Sequence, residues 1–599
     1  GVIAGTAGLT KSGSGTLTLT NIQTYTGTTT ISGGTLNVGD GSDALAALGA
    51  NALSIGTGAT LNFNHNAAVT VANAISGLGQ LNKIGTNTLT LTGVNSYTGA
   101  TGVGSAGGVV FTNNTAPSTS GFTGSGAVTI EPSTNSFGSL VTGNYTYANT
   151  LTGLTLGKVG NLTNVTLNSL VDIAGPITVY APQITVNQAL SSGAGLVLHG
   201  ASVLNGGSIN TTGAQTFRDK VILVNDATFD TTKDVATGAN ITFGDTINGV
   251  ADGVQSLTLN SGTLGLVSVV GAIGDVKPLK TLTLANSGGA DFAAVKTSTS
   301  VVLSDTVAGK TIRVLGSLTT PTLTTTAKGY NLELSGSSTN VTAATEFLHT
   351  GKLALGKTAT DKLVFAGGLK AVAPSSVSLA GSIETAGNTA ITLGDADTPV
   401  TLLTDATLKS GSGAVTFGGT VDGGNKLVVN SSGVTTFTGA VGSKTALSSL
   451  TTDAGGEVNV NGGSVTTTGE QVFNDALKMS VSTTLKGSAV KFYATATGTG
   501  ALIVDGAASI KGGTVTTTGA QTYKGAVTLE SDAVISSSGG GDIAFMSTVD
   551  GAQVLTVNTS GVTTFASTVG GTSPLTSLIT DEPGSVRVGA NSIKTTGLQ

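Results

Sequence analysis

The 599-residue chain contains neither cysteine nor tryptophan. Without cysteine there are no disulfide scaffolds, thiolate metal sites or cysteine nucleophiles. The same absence suits a long exported chain that crosses an oxidising periplasm unfolded. Charge is also scarce: Asp, Glu, Lys and Arg make up 10% of the residues and the net charge is −6, so no basic stripe exists to neutralise phosphates, and nucleic acid is not an expected partner. No apolar run reaches the roughly eighteen residues of a membrane-spanning helix. The opening GVIAGTAGLTKSG lacks the basic-then-apolar order of a secretory signal, so any export signal is expected outside this sequence.

Glycine is abundant, with 90 residues, and hydrophobic residues reach 39% although aromatics are only 4%. Thr and Val are stiff at Cβ and suit a pleated strand, while Gly and Asn supply the positive backbone dihedrals of tight turns. Apolar residues recur at alternate positions, as in Leu427-Val429, Val527-Leu529 and Leu555-Val557, so the chain is expected to be all-β with half-buried strands. One stretch reads differently. SDALAALGA, residues 42–50, is expected to form a two-turn helix capped by Ser42 or Asp43 and ended by Gly49.

Repeats organise the chain. LTKSGSGTLTLTNIQTYTGTT (9–29) aligns without a gap on LNKIGTNTLTLTGVNSYTGAT (81–101), pairing Lys11 with Lys83 and Tyr25 with Tyr97. A longer register aligns 413–442 with 541–570, pairing Phe417 with Phe545 and Asn430 with Asn558, and it runs on to Gly597 and Gln599, inside a further copy. GGSVTTTGEQVFNDAL (462–477) returns as GGTVTTTGAQTYKGAV (512–527), and a related form stands at Gly206. Its apolar positions persist while outward ones drift, which reads as packing. Three blocks follow: 1–114, 115–205 and 206–599, expected to be one continuous rod within a longer protein.

A pattern that continues without closing favours a solenoid, two or three strands per coil, each stacked on the same strand of the next coil. Coils of roughly 20 to 25 residues, about 4.8 Å apart, would extend the chain on the order of 120 to 140 Å. Inward Val, Leu, Ile and Phe would form ladders, Asn430 and Asn558 an amide ladder at a turn, and outward Thr and Ser a polar, nearly uncharged surface.

LTKSGSGTLTLTNIQTYTGTTTISGGTLNV and its second copy resemble the passenger-associated repeat of bacterial autotransporters, over about the first hundred residues. LTGLTLGKVGNLTNVTLNS, IAGPITVYAPQITVNQAL and the TTGAQTF units resemble filamentous-haemagglutinin-like giant surface adhesins. The resemblance implies a right-handed parallel β-helix, an elongated rod carried on or released from a bacterial outer membrane by a secretion partner.

The search for chemistry yields no catalytic, cofactor or metal residue. GKLALGKT (351–358) fits the phosphate-loop pattern, with Lys357 and Thr358 in the nucleotide-binding places, but Leu353 and Leu355 alternate like a strand and no helix follows. GVGSAG (102–107) matches a dinucleotide fingerprint without a βαβ unit around it. His65, His199 and His349 lack paired metal-ligand spacing and read as surface or turn residues. No GxSxG elbow supports a serine triad. Asp395 and Asp397, and Asp581 with Glu582, are the best carboxylate candidates for glycan cleavage, yet all sit in turns where Asp caps its own backbone. The expected function is therefore non-enzymatic, without cofactors: adhesion to host-cell, glycan or neighbouring-cell surfaces through a long multivalent face. A self-assembling fibre or sheath subunit is the alternative reading, and a polysaccharide-processing β-helix the third.

Overall fold

The computed structural model describes residues 1–142, 145–589 and 592–599. Contacts divide the chain into two units, Gly1–Ser298 and Thr299–Gln599. Both are built from short strands, and no helix occurs among the described residues. Every ladder whose register is resolved is parallel, joining a strand to the equivalent strand one coil on. The expected β-solenoid is the fold of each unit. Paired Cα atoms lie 19 residues apart at Val171 and Leu190, 20 at Leu9 and Thr29, 26 at Gln215 and Ile241, and 30 at Ala227 and Leu257. The coil is thus an elastic unit whose turns absorb insertions while the strands stay in register.

Parallel sheets usually bury both faces, but a closed coil buries one and wets the other. In Lys426–Ser431, Leu427 and Val429 are buried and Val428 is half-buried, the alternation visible in the sequence. Inward rings stack from coil to coil: Phe417 on Phe437 at 5.0 Å, and Tyr523, Phe545 and Phe565 at successive spacings of 5.2 Å. Such aromatic columns hold neighbouring coils at one separation.

One coil of the second unit holds three strands, Val415–Phe417, Val421–Asp422 and Lys426–Ser431, before Val434–Phe437 begins the next. Val415–Phe417 lies in a column that continues through Val434–Phe437, Glu457–Val460, Ala476–Met479, Ala496–Gly498, Thr514–Thr517 and Ala533–Ser537, six coil steps on. Its sequence counterpart Ile543–Phe545 is the next strand of the chain after Ala533–Ser537 and pairs outside that column, with Gln521–Tyr523 and Val562–Phe565. The 128-residue repeat therefore spans six coils and one further strand, and its second copy is turned onto the adjoining face. This corrects the expected Asn430–Asn558 ladder: Asn430 stands over Lys409, and Asn558 over Ser536.

Residues 42–50 are not helical. Ala47 bridges Ile22 in parallel, its carbonyl accepts from the Gln23 amide at 3.0 Å, and the Ala46 carbonyl takes His65 Nε2 at 2.7 Å. A two-turn segment cannot offset the nucleation penalty of a helix when the neighbouring coils offer its backbone ready partners.

Candidate functional site

The repeats carry inward polar side chains that pin the corners of the coil. Lys11 is buried, and its Nζ donates to the carbonyls of Ser12, Gly13 and Gly33, each at 2.9 Å. Lys83, at the matching place, donates to the carbonyl of Ala106, and burial lowers its pKa. Tyr25 and Tyr97 are buried with their hydroxyls on Thr29 Oγ1 at 2.5 Å and Thr101 Oγ1 at 2.7 Å. Each copy thus closes one corner with an ammonium on carbonyls and another with a phenol on a threonine.

The TTGxQ phrase has a related purpose. Gln471 Nε2 donates to the Val465 carbonyl at 2.9 Å and, across to the next coil, to the Lys486 carbonyl at 2.8 Å. Gln215 repeats this with Ile209 at 3.0 Å and Asp230 at 2.9 Å, and Gln521 with Val515 at 3.4 Å and Ser536 at 2.7 Å. Thr211, Thr467 and Thr517 close the same turn on the carbonyls of Gly213, Gly469 and Gly519. The phrase is written repeatedly because each corner holds a buried amide whose Nε2 donates to a carbonyl of its own coil and to one of the next.

The sequence candidates for chemistry fall into ordinary turns and strands. Lys352–Leu355 and Lys362–Phe365 are strands flanking the GKT turn. The Lys357 and Thr358 amides, which a phosphate would need, donate to Asp361 Oδ2 at 2.7 and 2.9 Å. Burial would raise the Asp361 pKa, but the Thr358 hydroxyl and these two amides outweigh it and hold the carboxyl low. Gly102 lies in the strand Thr101–Val103. Asp395 Oδ1 accepts from the Thr398 hydroxyl at 2.8 Å and the Asp397 amide at 3.2 Å, bonds that lower its pKa. Asp581 Oδ1 accepts the Thr559 amide at 2.8 Å, as Asp453 accepts that of Ser431 at 2.7 Å, and Glu582 is exposed beside it. The histidines are not gathered, and two of them correct the surface reading: His65 is 5% and His349 0% exposed, because each ring packs on an inward aromatic, Phe63 or Tyr330. Among the described residues no group of His, Asp and Glu is placed to hold a metal ion.

What the coils bring together is an outward array. In the first unit Thr129, Thr155, Thr178, Val197, Thr216 and Thr242 occupy one row, each opposite the next across successive coils. In the second, Thr392, Thr416, Thr436 and Asn459 do likewise. Asn82 Nδ2 donates to Asn62 Oδ1 at 3.0 Å and Asn62 to Asn37 at 2.9 Å, and Asn205, Asn187 and Asn168 form a second amide chain. Sequence reasoning looked for this ladder at Asn430 and missed these two. Their signal was the Leu-Asn or Val-Asn pair recurring at coil spacing, at 36–37, 61–62 and 81–82, and at 167–168, 186–187 and 204–205.

Residues 9–38 and 81–110 match the passenger-associated-transport repeat. The chain carries two passenger repeats. Lys11, Tyr25 and Thr29 lie in the first and Lys83, Tyr97 and Thr101 in the second, so both copies in this chain carry the corner pins. The chain is also similar to the adhesin BmaC autotransporter of Brucella suis biovar 1 (strain 1330), 34% identical over 129 residues. That alignment covers 19% of this chain and 4% of the Brucella protein. No solved structure matches the chain.

Proposed function

We propose that the chain is an adhesive segment of an exported bacterial surface protein, whose solenoid displays register-aligned, nearly uncharged rows to host-cell, glycan or neighbouring-cell surfaces. The observation that carries this reading is the Thr row of the first unit, where five of the six positions named above present a hydroxyl at the coil spacing. A single hydroxyl contact is weak, but many at a fixed repeat on one scaffold raise the effective concentration of every further contact. The passenger repeats and the similarity to an autotransporter adhesin support an outer-membrane export route. The blocks 1–114, 115–205 and 206–599 are read as successive stretches of this scaffold, the first specialised by the passenger repeats. The turning of the 128-residue repeat onto the adjoining face spreads its second copy around the coil, which favours contact from more than one side.

The test is adhesion of beads coated with the purified chain to bacterial and epithelial cell layers. Replacing Thr129, Thr155, Thr178 and Thr216 by Glu, one to four at a time, is expected to lower retention in steps. Retention unchanged with all four replaced, in a chain whose melting is unaltered, would refute the row as an adhesive surface.

A further inference from the structure

Beside the Thr row of the first unit runs a second outward column with a different character. Tyr180 lies opposite His199, and the two rings stack at 4.3 Å with an interplanar angle of 17°. Leu156 pairs with Val179, so the next residue, Gly157, stands opposite Tyr180; Leu198 pairs with Phe217, so Arg218 follows His199. Gly157 has φ 77°, and a Cβ there would lie 2.2 Å from the Tyr180 carbonyl oxygen. Glycine is therefore required at that place, and it puts no side chain of its own beside the ring of Tyr180.

The strands bend here. The ladder between Ile177–Val186 and Leu196–Leu204 shifts register between Tyr180 and Gln183, and the bend turns the outward surface into a groove. Asn161, 6% exposed, fixes it by donating Nδ2 to the Tyr180 carbonyl at 2.8 Å and the Thr163 carbonyl at 2.9 Å. The cavity is about 580 Å³ and is lined by residues 158–161, 180–182, 199–201, 219–220 and 245. Those segments belong to five successive coils, so the groove runs along the stacking direction for four coil spacings, about 19 Å.

Its chemistry is selective. Lys158 and Lys220 are matched by Asp219 and Asp245, so the lining carries no net charge to attract a phosphate polymer. Burial first, and then the nearby Arg218, hold the His199 pKa below its usual value, so the stack is uncharged at neutral pH. The strands that flank the groove are laddered to both neighbouring coils and present no open edge for a peptide to extend. What remains is an aromatic platform flanked by exposed carboxylate and ammonium groups, the Asp219 and Lys220 side chains having no hydrogen-bond or ion-pair partner among the described residues. That combination suits a ligand with apolar C–H faces and many hydroxyls.

We propose that this groove binds an uncharged polysaccharide chain, with Tyr180 and His199 as the stacking platform and Asp219 and Lys220 bonding its hydroxyl groups. The inference deepens the adhesive reading by giving it a defined glycan-binding place. Titration calorimetry of the full chain with cellotetraose, maltotetraose and tetra-N-acetylchitotetraose tests it. At least one of the three is expected to bind the native chain; Tyr180→Ala is expected to weaken that binding roughly tenfold or more, Tyr180→Phe to hold it within about twofold, and Asp219→Asn to weaken it severalfold. A native chain that binds none of the three, or a Tyr180→Ala chain that binds as tightly as the native one, overturns the proposal. So does binding confined to an oligonucleotide or an extended peptide. Loss of all sugar binding alongside intact bead adhesion would remove the groove and leave the adhesive reading standing. Sugar binding retained while beads fail to adhere would do the reverse.

Discussion

The hydroxyl of Tyr523 donates to Oε1 of Gln521 at 2.8 Å, inside the second unit where both side chains are fully buried. In the copies at Gln215 and Gln471 the residue two places after the glutamine is Phe217 or Phe473, and there Gln215 Oε1 and Gln471 Oε1 have no hydrogen-bond partner. The Tyr copy thus completes an amide that the Phe copies leave half satisfied. Phe473→Tyr is expected to stabilise the chain by about 0.5–1.5 kcal/mol, and Tyr523→Phe to destabilise it by a similar amount. Denaturant midpoints at unchanged m-value measure both. A lower midpoint for Phe473→Tyr would show that the ring has no room for the oxygen.

The donor side of the same corner predicts a larger effect. Gln471→Ala removes the Nε2 that serves the carbonyls of Val465 and Lys486 and leaves both without it. The Lys486 carbonyl keeps the Thr467 amide at 2.8 Å, so the expected loss is about 1–3 kcal/mol in all. Gln471→Glu is expected to be no better, since a carboxylate presents acceptors to acceptors. In a stacked fold the damage stays with adjoining coils. Amide hydrogen exchange should therefore quicken around residues 465–490 before it does elsewhere, and uniform quickening along the unit would contradict this.

Lys11→Met probes the passenger repeat. The substitution keeps the buried aliphatic stem but removes the ammonium from the carbonyls of Ser12, Gly13 and Gly33. A loss of about 1–3 kcal/mol is expected, read as local exchange of the Ser32 amide, which donates to the Lys11 carbonyl. Lys11→Arg is expected to recover little, because the planar guanidinium cannot direct three donors onto three carbonyls clustered around one point.

Much of the solenoid was legible because it rests on short-range pattern. The alternation of Leu427 and Val429, or of Val527 and Leu529, is visible in any window of five residues, and the structure buries those positions. The phase between copies was not legible. Coil lengths run from 18 residues at Ile184 to 30 at Ala227, so an aligned pair such as Asn430 and Asn558 says nothing of which face each copy occupies. The same reason hid the Tyr180–His199 stack, which exists only because the chain returns after 19 residues with the same side outward. His65 and His349 were misplaced because histidine reads as polar, whereas an imidazole fits an inward aromatic column as well as a phenyl ring does. The glutamine corners were visible as words and not as chemistry, since their partners lie fifteen residues on, in the next coil.

His349 gives the last prediction, a dependence of stability on pH. Its ring is fully buried against Tyr330 at 5.2 Å and Phe347 at 5.9 Å, and neither ring nitrogen has a hydrogen-bond partner. Burial pushes its pKa down from 6.5 to about 4. Above pH 6.5 the imidazole is neutral in both folded and unfolded chains, and the native state keeps its full stability. As pH falls from 6.5 towards 4 the unfolded chain takes up a proton that the folded chain refuses, so stability drops with a slope approaching one proton and levels off below pH 4. The whole drop amounts to about 3 kcal/mol for this residue. His349→Phe removes the titrating group, fits the aromatic column and eliminates two unpartnered nitrogens. It is expected to flatten the stability profile across that window and to leave the chain at least as stable at pH 7. Denaturant midpoints of the two chains between pH 4 and 7.5 decide the matter: parallel profiles would mean that the acid sensitivity of the second unit lies elsewhere.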